Sequence, residues 1–418
     1  MAAMFYILSF FFYVKGRVSE KGNIRWLFFF GSILSGICAL GSKQIAATLP
    51  FFILLYEWYF FQDLSWDWVK RNLMIFAGIA VLFVGMVIIY MGINPFEIIL
   101  SGYDARDFTL KQRVLTEFRV VIYYLSLFFF PHPSRLNLDY DYPLSYSLFD
   151  PVTTILSLLI IIGLFVSGIL MARKERLLSF CVLWFLGNLV IESSVISLEI
   201  IYEHRTYLPS MLVSLMVVIL AWRYIKPGWA KVLLLGVLVV VCSVWTYQRN
   251  AVWGDELALW RDVVAKSPDK ARPHNNLGNL LARRGKNGEA IKHFYEALRI
   301  DPNYAEAYNN LGIELKEQGR INKAIEYYYR AIQLRPNYVD AYVNLGVVLS
   351  ESGKIDEAID IYLMALEMMP DSAEAHCNLG VVLMNKGEIN KAIEHFYEAY
   401  RIEPFYAEVI NNLGSAVA

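Results

Sequence analysis

Hydrophobic positions follow one pattern up to residue 250 and another beyond it. In residues 1–250 they run together; afterwards they return with a helical period. Uninterrupted apolar runs fall at residues 3–14, 26–42, 45–61, 73–92, 152–171, 177–191, 206–224 and 229–247. A helix needs roughly 20 apolar residues to cross a bilayer, fewer where flanking side chains reach the interface. The eight runs therefore predict eight spans. The stretch 113–131 differs, because Arg113, Glu117 and Arg119 occupy its first half and only Val120–Phe130 is cleanly apolar. It predicts a helix that dips into the membrane from outside or lies on its surface, since re-entrant backbone is tolerated where protein covers it.

Four basic clusters fix the expected orientation: Lys15/Arg17/Lys21/Arg25, Lys70/Arg71, Arg173/Lys174/Arg176 and Arg223/Lys226/Lys231. Loops rich in Lys and Arg stay in the cytoplasm. Eight spans with these loops inside place Met1 and everything after residue 250 on the non-cytoplasmic side. The segment from Gly92 to Pro151, re-entrant piece included, lies there too.

Past residue 250 the tripeptide Asn-Leu-Gly recurs at Asn276, Asn310, Asn344, Asn378 and Asn412, each step 34 residues. Pro268, Pro302, Pro336, Pro370 and Pro404 keep the same step, as do Gly285, Gly319, Gly353 and Gly387. A fixed 34-residue period with paired helical patterns is the signature of a tetratricopeptide array. Gly312, Ala324 and Ala331 would let two helices approach closely, with Tyr308, Leu311, Leu315 and Tyr328 filling the space between them. Pro336 would stop the second helix. The repeats run 271–304, 305–338, 339–372 and 373–406, with part of a fifth at 407–418. The last stops within its first helix, leaving Leu413 without a partner helix, so a further segment is expected at that end. The fold class is all-α: a polytopic helical membrane domain, 1–250, followed by a tetratricopeptide α-solenoid, 251–418.

Composition sharpens the division. Hydrophobic residues make up 57% of the 418, and the excess lies in the first domain. That domain carries 20 Lys and Arg against 15 Asp and Glu, the second 18 against 24, so a net charge of −1 hides +5 and −6. An acidic array without a basic stripe excludes nucleic acid as its partner and says polypeptide instead. Cys38, Cys181, Cys242 and Cys377 show neither pairing nor metal spacing.

The polar groups worth weighing lie on the outer side. Lys43-Gln44 sits in a short turn, and Lys43 reads either as an interfacial lysine or as a substrate contact. Glu203-His204-Arg205 opens the seventh span, as an ion pair fixing a helix start or as a functional site. Asp139 and Asp141 flank Tyr140, a spacing that suits a divalent cation or a carboxylate-capped loop; no metal site is assigned. Asn276, Asn310, Asn344, Asn378 and Asn412 form a ladder of carboxamides along the inner helices. They can pair with the backbone of an extended peptide or brace the repeats. No phosphate loop, zinc spacing or serine elbow is present, and no catalytic residue is assigned.

Four outer motifs, in order ahead of the repeats, resemble one family: Phe5–Arg17 (FYILSFFFYVKGR), Gly41–Pro50 (GSKQIAATLP), Tyr124–Pro143 (ending PHPSRLNLDYDYP) and Tyr202–Ser210 (YEHRTYLPS). The chain is similar to membrane O-mannosyltransferases with tetratricopeptide repeats, of the GT-C class that uses polyprenyl-phosphate sugars. The resemblance implies sugar transfer from a polyprenyl phosphate to a Ser or Thr hydroxyl outside the membrane. Arg205 would then hold the lipid phosphate with Lys43 assisting, and the array would present the acceptor. It implies membrane lipid as a partner and a location in the cell membrane, or the endoplasmic reticulum in a eukaryote. Two departures qualify it. Gln44 stands where the family has Glu, and the family's acidic catalytic loop precedes the part matched here. The chain is therefore expected to be inactive alone, completed by a companion subunit or a longer product, or to serve as a non-enzymatic membrane-anchored scaffold.

The orientation has a direct test. Cysteine labelling from outside intact cells should modify Ser101→Cys and Asn303→Cys and spare Glu175→Cys; the opposite pattern inverts the topology.

Overall fold

The computed structural model describes residues 1–91, 94–103, 106–191, 193, 199–201 and 203–417, and every regular element among them is helical. They divide into two compact units, Met1–Ala251 and Val252–Ala418.

In the first unit the helices are α1 (Ala2–Val18), α2 (Gly22–Ser42), α3 (Leu49–Tyr56), α4 (Trp66–Arg71), α5 (Leu73–Met91), α6 (Pro95–Ser101), α7 (Leu110–Phe129), α8 (Thr153–Met171), α9 (Arg176–Leu189), α10 (Tyr207–Tyr224) and α11 (Gly228–Trp253). Among the described residues, α2, α8, α10 and α11 are long and apolar enough to cross a membrane. Their large apolar side chains, such as Phe30 and Ile33 on α2 and Val239 and Val240 on α11, are exposed. In water such surface would drive association; against lipid it is the matching surface. The core is aromatic: Phe10 and Phe52 pack on Trp184 at 5.6 and 4.9 Å between ring centroids. Gly187 admits Phe52 so closely that a Cβ there would lie 2.6 Å from the ring.

Two elements differ from the pattern-based reading. The run 45–61 is not one helix but a 3₁₀ turn (Gln44–Thr48), α3 and a π turn (Glu57–Phe61). Glu57, in that π turn, accepts from Arg17 Nε at 2.8 Å, Tyr13 Oη at 2.6 Å and Gln62 Nε2 at 2.7 Å. Arg176 pairs with Asp63, and Arg223 with Glu175 at 2.5 Å. Three of the four basic clusters thus find carboxylates, and the contacts link through 57–63 and 175–176. The ends of α1, α3 and α10 and the start of α9 gather at one end of the unit. The second difference is α7, a continuous helix of 20 residues starting at a Thr109/Gln112 capping box. Its early charges do not shorten it, because Arg113 and Glu117 are buried inside the unit and need no water.

In the second unit, α12 (Glu256–Lys266) precedes four helix pairs: α13 (Ala271–Arg283) with α14 (Asn287–Ile300), α15 (Ala305–Glu317) with α16 (Ile321–Leu334), α17 (Val339–Glu351) with α18 (Ile355–Met368), and α19 (Ala373–Lys386) with α20 (Ile389–Ile402). A final helix, α21 (Ala407–Val417), follows. Close approach within each pair has one cause. A Cβ at Gly278, Gly312, Gly346 or Gly380 would meet the ring of Phe294, Tyr328, Tyr362 or Phe396 at 2.6–2.7 Å. Gly285, Gly319, Gly353 and Gly387 turn the chain between the helices with φ of 72–88°, a region costly for other residues. Leu257, Trp260 and Val264 of α12 close the near end of the same core.

The first and fourth repeats each enclose a histidine pair. Nδ1 of His274 lies 3.0 Å from Nδ1 of His293, and Nδ1 of His376 lies 3.0 Å from Nδ1 of His395. Nε2 of His274 and of His376 lies 3.1 and 3.0 Å from the carbonyl oxygens of Pro268 and Pro370. A carbonyl only accepts, so each Nε2 carries the hydrogen, each facing Nδ1 accepts, and His293 and His395 donate through Nδ1. Burial, then the partner imidazole, holds His293 and His395 below the usual histidine range, against the opposite pull of Glu289 and Glu296 on the first and Glu394 and Glu398 on the second. Arg261 reinforces the lowering at His293. A depressed folded-state pKa makes the neutral form the stabilising one. That contribution is complete above the unfolded value of about 6.5 and is lost as pH falls through the folded one. The melting temperature of the repeat unit should therefore drop between about pH 7 and pH 5. Replacing His274 and His293 by Tyr, the pair found at Tyr308 and Tyr327, should flatten the drop. Equal pH dependence in the variant would show that the histidines are not its source.

Candidate functional site

Burying charge inside the membrane unit requires a reason, and α7 supplies the place. Arg113 and Glu117 lie one turn apart and pair at 2.9 Å, their side chains 0% and 2% exposed. Arg205, in the 3₁₀ turn Glu203–Thr206, reaches the same carboxylate at 4.0 Å and donates to the carbonyl of Ile200 at 3.1 Å. Two guanidiniums thus approach one carboxylate in a dry surround. An ion pair so buried persists only with good geometry and further partners, and guanidiniums are the side chains suited to an anion. A guanidinium's planar donors match phosphate oxygens.

The segment 135–145 folds around this helix. Arg135 donates to Ser126 Oγ at 2.6 Å, and its carbonyl accepts from Tyr123 and Tyr140 at 2.8 and 3.1 Å. Arg119 bonds the carbonyl of Pro143 at 2.8 Å, with its guanidinium over the Tyr142 ring. Ser145 donates its amide to Thr116 on α7 at 2.8 Å. Leu136, Tyr140 and Tyr142 pack with Val120, Tyr124, Leu189 and Ile201 in one apolar cluster. The loop 135–145, α7, α9 and the approach to α10 thus form one body beside the arginines. The turn after α2 is held by Thr48, which donates to Asn188 at 2.8 Å and meets Tyr6 Oη at 3.1 Å.

Among the residues singled out from sequence, Arg205 is buried and joined to α7. Lys43 is exposed where α2 ends. Asp139 is buried and Asp141 exposed, so their side chains part rather than share a face. Among the described residues no three His, Cys, Asp or Glu gather as metal ligands. The side chains of Gln44, Glu203 and His204 lie outside the described residues. Sequence reasoning passed over Arg113 and Glu117 as ligands because it weighed them only as charges interrupting a span; their i, i+4 spacing beside a capping box was the available signal.

In the repeat unit Asn276, Asn310, Asn344, Asn378 and Asn412 are all partly accessible. Two of them brace neighbours: Asn310 Nδ2 donates to Asn275 Oδ1 at 2.9 Å, and Asn344 Nδ2 to Asn309 Oδ1 at 3.0 Å. The packing between repeats therefore includes carboxamides, while the glycine and aromatic contacts act within each repeat.

Tetratricopeptide repeat family models match residues 269–337, 303–371 and 373–406. Protein O-mannosyl-transferase F38B6.6 of Caenorhabditis elegans is 27% identical over 238 residues, 52% of this chain and 34% of that protein. Protein O-mannosyl-transferase TMTC1 of Homo sapiens is 29% identical over 107 residues, 24% of this chain and 12% of that protein. The chain resembles protein O-mannosyl-transferases and carries tetratricopeptide repeats. It spans about a third of the length of the first of these relatives and less of the second. Among solved structures, YrrB, a TPR protein with an unusual peptide-binding site, is 26% identical; the match covers 37% of this chain and 80% of YrrB with a TM-score of 0.32.

Proposed function

We propose that this chain is the donor-holding and acceptor-holding part of a membrane protein O-glycosyltransferase. The membrane unit binds a polyprenyl-phosphate sugar, and the repeat unit binds the polypeptide whose Ser or Thr receives the sugar. The observation that carries the reading is the Arg113–Glu117–Arg205 cluster, in a chain whose relatives are named protein O-mannosyl-transferases. Arg205 faces the phosphate, and Glu117 holds the guanidinium for it. As the glycosidic bond to phosphate breaks, negative charge grows on the leaving lipid phosphate, and a preplaced guanidinium in a dry site stabilises that charge most. Lys43, Gln44, Asp139, Asp141, Glu203 and His204 belong to the same outer side of this reading. The general base that takes the hydroxyl proton is not assigned to a residue of this chain. The array faces the non-cytoplasmic compartment, where such an acceptor is found.

Donor binding tests the reading without requiring turnover. The purified full chain should retain radiolabelled polyprenyl-phosphate-mannose, and Arg205→Gln should reduce retention about tenfold or more, as expected for a charge-assisted contact of 1.5–3 kcal/mol. Melting of the variant should confirm that the unit stays folded. Retention equal in both proteins contradicts the role of Arg205. No retention by either supports the other reading, a membrane-anchored scaffold whose repeats alone are functional.

A further inference from the structure

The asparagine ladder is not uniform, and the rung at Asn378, unlike Asn310 and Asn344 before it, points to where a ligand is gripped. The brace from each ladder asparagine runs to the residue one place ahead of the preceding rung. Asn310 finds Asn275 and Asn344 finds Asn309, both acceptors buried between repeats. For Asn378 the corresponding residue is Val343, buried and without a polar atom. For Asn412 it is Cys377, whose sulfur, a weak acceptor, lies 3.7 Å away. Among the described residues the side chain of Asn378 makes no hydrogen bond, and it is neither fully exposed nor fully buried. A half-covered carboxamide with both donor and acceptor capacity open, on the ladder line, matches what an extended peptide backbone needs: one donor and one acceptor per residue.

The surroundings specify the occupant. Glu374 lies one turn before Asn378 on α19, and Asp340 and Glu408 hold the same place on α17 and α21. The Glu374 carboxyl is held above the usual range, by burial first and then by the like charges of Asp340 and Glu408. A cationic group brought to this line relieves that repulsion. Val347 and Val381, half-buried on the inner helices, offer apolar contact next to it.

We propose that Asn378 is the rung that pairs with the backbone of an extended, Lys- or Arg-containing polypeptide, while Asn310 and Asn344 hold neighbouring repeats in register. The proposal rests on the reading that the array binds polypeptide. Val343 is then a specificity device: an apolar residue at that place leaves the carboxamide available, and an asparagine there would recapture it.

The test uses the full chain in detergent micelles with a fluorescein-labelled Ser/Thr/Lys-rich peptide, read by anisotropy beside thermal melting. Asn378→Ala should weaken binding about two- to tenfold for each backbone bond lost, with melting unchanged. Val343→Asn, supplying the missing acceptor, should weaken binding as Asn378→Ala does, without lowering the melting temperature. Asn344→Ala should lower it. A peptide bound equally well by wild type, Asn378→Ala and Val343→Asn overturns the assignment of Asn378 while leaving the groove reading intact. A wild-type chain that binds no such peptide, with or without lysine, overturns both. Weaker binding only for a lysine-free peptide, in all variants alike, would place the recognition on the acidic line and not on Asn378.

Discussion

A charged group inside a membrane protein must be solvated by the protein itself, and this constraint shapes the first unit. Water is absent from the hydrocarbon, so each guanidinium needs a carboxylate, a carbonyl or a bound anion. At one end Arg17 meets Glu57, Tyr13 stands on the same carboxylate, and Arg176 and Arg223 meet Asp63 and Glu175. Around α7, Arg113 and Arg205 both approach Glu117. The unit thus ties helices together through charge pairs at one end and gathers two guanidiniums at one carboxylate where the loop 135–145, α7 and the entry to α10 converge. Satisfied networks rigidify, and guanidiniums held in place suit the oxygens of an anionic ligand.

The second unit depends on close helix approach, set by glycine against an aromatic ring in every complete repeat. Because that contact repeats every 34 residues, the inner helices stack in register and their side chains form columns. Columns make differences between repeats meaningful. A histidine pair replaces tyrosines in two repeats, and valine replaces asparagine beside one rung. Neither substitution disturbs the backbone pattern. Each changes what the column can do, one by making it sensitive to protons and the other by releasing a carboxamide.

Much of the architecture was legible in the chain, for a physical reason. Helical periodicity and bilayer length are local properties, so the 34-residue array and the apolar stretches could be read directly. What escaped was set by pairing across distance. The π turn that ends the 45–61 run places Glu57 against Arg17, which lies 40 residues earlier. The continuity of α7 depends on Arg113 and Glu117 finding partners inside the unit rather than facing lipid. The unequal rungs depend on a residue 35 positions back. Arg205 was legible as a charged residue at the start of an apolar helix; that Glu117 would be its counter-charge was not.

The central claim is that Arg205, held beside α7, receives a lipid phosphate. A photo-crosslinkable polyprenyl phosphate, irradiated with the full chain in membranes and mapped by mass spectrometry, addresses it directly. The account predicts adducts on peptides covering residues 110–129 and 199–213, competed by unlabelled polyprenyl phosphate but not by a neutral polyprenol. Adducts confined to the lipid-facing surfaces of α2 and α11, or equal competition by the neutral polyprenol, would contradict it.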